Sequence, residues 1–319
     1  MIWLGWRQQR TEAVITAALV ALLAAVLVPT GLHLASFYDH DAVARCINHK
    51  SPACAQTLSD FGSHAGILRS LMPWFTLLPG LIGVALAAPI ILDLENGTFR
   101  LAWTQSITRG RWIATRFSLA VATSLAAGGL IAILFTWYRT PLDKVYGRFD
   151  GSSGFDVEGI VPLAYVLFAL AVALAVGVAW RRTAPAVITA FLAYVAARLF
   201  VDGWLRQRFE KPLTATWPVQ AHGPNLDSAW VLSSGLSDRA GHPFHGGFGA
   251  LQSCARTGTK GINGLDPRCL ARHGAGYNHA VYQPASRFWD FQGIETALFA
   301  GVALALLAFA AWWLQRRTA

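Results

Sequence analysis

"IVPLAYVLFALAVALAVGVAW" (160–180) runs for 21 residues without a charge and is followed at once by Arg181 and Arg182. About 20 apolar residues carry a helix across the hydrocarbon core of a bilayer. A stretch this long and this rich in Ala, Leu and Val therefore reads as a membrane span. Five further windows resemble it: Ala13–Ser36, Leu71–Leu92, Trp112–Trp137, Ala184–Val201 and Ile294–Leu314. The fifth span in chain order, Ala184–Val201, contains Arg198 and runs into Asp202. The composition agrees. Of 319 residues 54% are hydrophobic and 13% charged, against roughly 25% charged in soluble domains. Alternating strands of a barrel are absent, which leaves helices as the spanning element. The fold class expected is an all-α polytopic membrane protein with six transmembrane helices. The first apolar run exceeds the roughly 7–15 residues of a signal-peptide core and no convincing cleavage site follows it, so it reads as a retained anchor.

Lys and Arg gather on the cytoplasmic side of span ends. With six spans, one side holds Arg7, Arg10, Arg100, Arg109, Arg111, Arg116, Arg181, Arg182, Arg316 and Arg317. The opposing loops near 37–69 and 138–158 hold fewer, mixed with acids. This places both termini in the cytoplasm of a multi-pass cell-membrane protein. The net charge of +9 follows from this asymmetry and a basic outer loop, so no nucleic-acid partner is implied. Trp112, Trp137, Trp180, Trp204, Trp289, Trp312 and Trp313 sit at span ends, where aromatic rings anchor to membrane lipid.

Three segments follow from this topology: 1–204 with spans one to five, an extracytoplasmic segment 205–290, and 291–319 with the last span. Cys46 and Cys54 fall in the first outer loop, Cys254 and Cys269 in the long outer segment. In that compartment disulfides persist. Four cysteines allow three pairings; the local ones are the simplest, and pairing across the loops is the alternative. His222, His242, His245, His273 and His279 share the long segment, but no CxxC or HxxxH spacing appears and no metal site is expected. Turn-rich runs such as "GHPFHGGFG" (241–249) predict a loop-rich cap with little regular structure.

Arg198 and Asp202 are four apart and predict an intramembrane charged pair on one helix face. The structural alternative puts both near the outer interface, marked by Trp204. Elsewhere no cluster of acids at membrane depth is visible. Pro73, Pro79 and Pro89 with Gly80 and Gly83 suit a second span that bends. No G-x-x-x-x-G-K-[ST] loop, G-x-S-x-G elbow or H-E-x-x-H motif occurs. The chain is therefore not expected to be an enzyme or to bind a cofactor of its own.

"DLENGTFRLAWTQSITRGRW" (93–112) interrupts two spans with charge and aromatics. Asn96-Gly97 breaks the span. Thr98 is a candidate cap for a short helix with Phe99, Ala102 and Trp103 on one face, and Ser106 or Thr108 a cap for the next span. An amphipathic element joined rigidly to two spans can receive a force from the cytoplasm or lie on lipid headgroups.

"LENGTFRLAWTQSITRGRWIATR" (94–116) resembles the cytoplasmic loop after the second span of ABC-2 type permeases, and specifically an actinobacterial group of them. "MIWLGWRQQR" (1–10), "FDVEGIVPLAYVLFALAVALAVGVAWRRTAPAV" (155–187) and "YQPASRFWDFQGIE" (282–295) match the same group. The resemblance implies a permease subunit that docks on a separate ABC ATPase, where ATP and Mg would bind, and that pairs with a second permease subunit. It implies a coupling helix near Thr98–Gln105, with Phe99, Trp103 and Gln105 in an ATPase groove and Glu95, Gly97, Arg109 and Arg111 framing it. Residues 1–10 would form an interfacial helix, and a hydrophobic or amphipathic compound would be exported. A sensor or accessory protein with a ligand-binding outer segment is the second reading, and a membrane-embedded enzyme the third.

Overall fold

A backbone that crosses lipid must satisfy its own hydrogen bonds, and the apolar runs do so as helices. In the computed structural model the described residues are 2–40, 43–47, 51–99, 108–149, 154–244, 253–254 and 266–317. The helices are α1 (Ile2–His40), α2 (Pro52–His64), α3 (Gly66–Phe75), α4 (Leu78–Glu95), α5 (Arg109–Tyr146), α6 (Val161–Trp180), α7 (Thr183–Phe200), α8 (Pro267–Arg272) and α9 (Phe288–Arg317), besides single turns at Val43–Cys46 and Gly154–Val157. Among them α1, α4, α5, α6, α7 and α9 are long and apolar enough to span a membrane. The protein is mostly helical and multi-pass.

The second span begins later than its hydropathy suggests. Residues 71–75 belong to α3, and the helix breaks at Thr76–Leu77 before α4. Pro73 and Pro79 each lack a backbone donor, and they flank the break. Two other spans run past their apolar windows: α5 to Tyr146, and α7 through a π-helical turn (Val201–Leu205) to Arg208. The backbone of residues 2–10 is helical and continuous with α1.

The chain divides into two compact units. The first comprises Met1–Val145, Gly151–Arg206 and Trp289–Ala319. At its centre is α6, apolar on every side and buried along nearly its whole length. It packs against α4 and α7. Close approach depends on small residues: a Cβ at Gly83 would collide with the Val166 carbonyl, and one at Gly177 with the Ile91 side chain. In α1 the buried residues Val20, Leu23, Leu27, Leu34 and Tyr38 form one stripe at helical spacing, while Val14, Ile15 and Leu22 are exposed. An apolar helix with one buried stripe and apolar outer faces suits lipid as its solvent.

The second unit comprises Tyr146–Asp150 and Gln207–Phe288. It has more regular structure than its turn-rich sequence suggests. Strands β1 (Leu213–Pro218), β2 (Trp230–Ser237) and β3 (Tyr277–Gln283) form an antiparallel sheet in the order β1-β3-β2. The central strand comes last in sequence, so its pairing has no local signal. Phe149 stacks on Trp230 and meets Phe288 edge-on. Asp266 caps α8, and Cys254, Leu270 and Ala275 form a small core under it. Both disulfides are local, Cys46–Cys54 and Cys254–Cys269.

Candidate functional site

Helix α7 has chemistry at both ends. Its first turn needs acceptors for backbone N–H groups without helical partners. Glu95, at the last turn of α4, supplies one: its Oε2 accepts from the Thr183 N–H at 2.8 Å. Two residues earlier, Asp93 pairs with the buried Arg116 of α5, and the Thr98 hydroxyl donates to the same carboxylate at 3.0 Å. Arg116 also lies 5.8 Å from the Trp112 ring centroid, and Phe99, buried, sits 6.5 Å from that ring. Gly97 takes φ +71°, a conformation open to glycine, which turns the chain out of α4. Thr108 accepts from the Arg111 N–H and caps α5.

Of the residues expected to form a coupling element, Glu95, Gly97, Thr98 and Phe99 gather at the end of α4, and Arg109 and Arg111 open α5. The Thr98 hydroxyl bonds back to Asp93. Trp103 and Gln105 lie outside the described residues.

The far end of α7 holds a cluster that the sequence reading did not anticipate. Arg198 lies 15 residues past Thr183, about 22 Å along the helix. It does not pair with Asp202. Its guanidinium bonds Asp156 at 2.7 Å and Glu295 at 3.3 Å, and stacks 4.1 Å from the Tyr165 ring centroid. Arg206 takes Asp202 at 2.5 Å, Asp156 at 2.5 Å and Glu295 at 2.8 Å. The Tyr165 hydroxyl joins Glu295 and Arg198. Four of the five charges are buried; only the Asp202 side chain is half exposed, at 52%. Arg198 and Asp202 share a face as expected, but Arg198 pairs with Asp156 and Glu295 from other segments, and Asp202 with Arg206 four residues further on. Three acids, Asp156, Asp202 and Glu295, thus converge on the two arginines at the far end of α7.

Residues 154–160 deliver Asp156 because neighbouring helices lock them. The Gln292 Oε1 of α9 accepts from the Ile160 and Val161 N–H groups at 3.0 and 3.1 Å, while its Nε2 donates to the Phe155 carbonyl at 2.9 Å. Thr136 of α5 takes the Gly159 N–H at 3.1 Å. Arg139 holds the fully buried Glu158 at 3.1 Å and Asp143 at 2.9 Å. Burial alone would push the Asp156 carboxyl up, but the Arg198 and Arg206 guanidiniums outweigh it and hold the group below its ordinary value.

Beside this cluster a cavity of about 340 Å³ opens between the α3–α4 break and α7. Pro73, Trp74, Thr76 and Leu77 form one wall; Tyr194, Val195, Arg198, Leu199 and Asp202 form the other, with Asp156 at the base. The Tyr194 hydroxyl donates to the Thr76 carbonyl at 2.8 Å, satisfying an acceptor freed by the break, and its ring fills the space above Gly80. The π-turn that carries Asp202 is a further irregularity here; such turns are frequent at functional sites.

In the second unit His273 lies near Cys254 and Cys269. Those sulfurs are joined to each other, so neither is a thiolate ligand in this oxidised form.

Two sites thus occupy opposite ends of one bundle, a tied loop root and a buried charge cluster with a groove. No curated protein and no solved structure is detectably similar to the chain. A family model described as ABC-2 membrane transporter related matches residues 17–206. That span takes in α4, α5, α6 and α7 with both of their ends, and the chain belongs to the ABC-2 membrane transporter related family.

Proposed function

We propose that the chain is the permease subunit of an ATP-driven exporter, energised by a separate ABC ATPase and working with a second permease subunit. ATP and Mg belong to the ATPase; this chain supplies the pathway. The reading is supported most directly by the paired ties at the root of segment 96–108: Asp93 to Arg116 of α5, and Glu95 to the first turn of α7. A push on that segment reaches α4, α5 and α7 together, because all three are held at one level.

A tilt of α7 about that root moves its far end, where Arg198 and Asp202 line the groove. Rearrangement there opens or closes the cavity to a hydrophobic or amphipathic compound. On the positive-inside argument the tied root and both termini are cytoplasmic and the cluster is outward; the outward direction of transport rests on the resemblance to ABC-2 type permeases.

The test is a mild-detergent pull-down of the tagged protein and of a Phe99→Ala/Trp103→Ala variant, with co-purifying proteins identified by mass spectrometry. An ATPase subunit is expected with the wild type and lost from the variant. Absence of any ATPase from intact, folded wild type would overturn the reading in favour of a sensor.

A further inference from the structure

Two guanidiniums face three carboxylates at the outer end of α7, so the cluster carries one excess negative charge among its described members. The excess is not spread evenly. Asp156 and Glu295 each contact both arginines and are buried, whereas Asp202 has Arg206 alone and an exposed side chain. Of the two acids that line the groove, Asp156 and Asp202, Asp202 is the exposed one. On the facing wall stands Trp74, 68% exposed, and next to Asp202 on α7 stands Leu199, also 68% exposed. A half-solvated carboxylate at the mouth of an apolar groove attracts positive charge, and the face of an exposed indole does the same.

We propose that this groove is a binding site for the cationic head of an amphipathic compound. Asp202 would hold the charge, Trp74 would cover it, and Pro73 and Leu199 would take the apolar body. The proposal deepens the permease reading and rests on it for the purpose of the site, though not for the site's existence. The cation neutralises the surplus carboxylate, which Arg206 otherwise shares among three acids. An anion bound to Arg198 is disfavoured, because Asp156 and Asp202 line the same walls.

The shared chemistry, a monocation on an apolar body, has two sources: a free compound or the amine head of a lipid. The test is equilibrium binding of radiolabelled tetraphenylphosphonium to the full-length protein in phosphatidylcholine nanodiscs, with tetraphenylborate as the anionic control of matched shape. Saturable binding of the phosphonium and none of the borate is expected. Asp202→Asn, a surface change that leaves the buried members intact, should weaken the phosphonium about tenfold. Trp74→Leu, which keeps the apolar contact and removes the indole, should weaken it as well. Equal binding of the two ions, or unchanged affinity in a folded Asp202→Asn protein, would overturn the proposal. Phosphatidylethanolamine added to the nanodiscs distinguishes the sources. Competition assigns the site to a lipid amine and lack of competition to a free compound, and either keeps the cation site. Because the assay needs no ATPase, its failure is separable from failure of the pull-down.

Discussion

Arg206 is the residue on which the cluster at the far end of α7 depends, since among the described residues it alone contacts Asp156, Asp202 and Glu295. Removing one partner of a buried ionic set strands the others; Arg206→Met is expected to cost about 3–5 kcal/mol in thermal or denaturant unfolding of the detergent-solubilised protein. Adding Glu295→Gln removes one stranded charge and should recover part of the loss. The pH dependence has a definite sign. The folded-state value of Asp156 lies below its unfolded value. Its stabilisation is therefore fully present above the unfolded value, near ~4. It is lost only as pH falls through the depressed folded value. Without Arg206 that depression weakens, so the deficit of Arg206→Met should hold steady from pH 7 to 5 and shrink only as the pH falls below ~4. A deficit that stays constant as the pH falls below ~4 would mean that Arg206 does not hold the Asp156 carboxylate. Arg198 and Asp202 stood out in the sequence because charges inside an apolar run are costly. Asp156 and Glu295 did not, because each lies at the margin of a span, in "FDVEG" (155–159) and "FQGIE" (291–295), and only folding brings them together. The cue was present in an unused form: two apolar windows each bordered by an acid, with two arginines bordering a third.

At the scale of elements, α7 is the rod that joins the two sites. Its first turn hangs on Glu95 of α4, and its last turns carry Arg198, Asp202 and Arg206. The tie between α4 and α5 can be tested separately. Asp93→Asn keeps the shape of the side chain and removes the charge facing Arg116, a charge-assisted bond worth about 1.5–3 kcal/mol. In a complex reconstituted with the co-purifying ATPase, the variant should still assemble. Stimulation of ATP hydrolysis by transport substrate should fall several-fold relative to wild type, since the loop would move without carrying α5. Undiminished stimulation would place the force path elsewhere. Spans were legible as elements because an apolar run near the bilayer thickness permits little else. The break at Thr76–Leu77 was half legible: the prolines announced a bend, but the separation of α3 from α4 depends on Tyr194, far along the chain, satisfying the Thr76 carbonyl. The sheet of the second unit was not legible. "LTATWP" (213–218) and "YNHAVYQ" (277–283) have strand-forming residues, yet they pair across more than 50 intervening positions full of turn signals.

For the whole molecule the open geometric question is which way the bundle faces, since composition and helix length establish spans and leave sidedness to charge. Arginines gather at the α4–α5 and α6–α7 connections, while the cysteines lie in the α1–α2 region and in the second unit. A cytoplasmic location for the arginine-rich connections places both disulfides in an oxidising compartment, so two independent rules agree on one orientation. The prediction is that a membrane-impermeant maleimide applied to intact cells labels none of the four cysteines until an impermeant reductant is added. It should then label Cys46, Cys54, Cys254 and Cys269. A single cysteine introduced as Gly110→Cys, at the exposed start of α5 with open space around it, should stay unlabelled until the cells are permeabilised. The opposite pattern, with position 110 reached from outside, would invert the bundle. It would set the tied loop root where no cytoplasmic ATPase could act on it, and the permease mechanism proposed for this chain would fall with the topology.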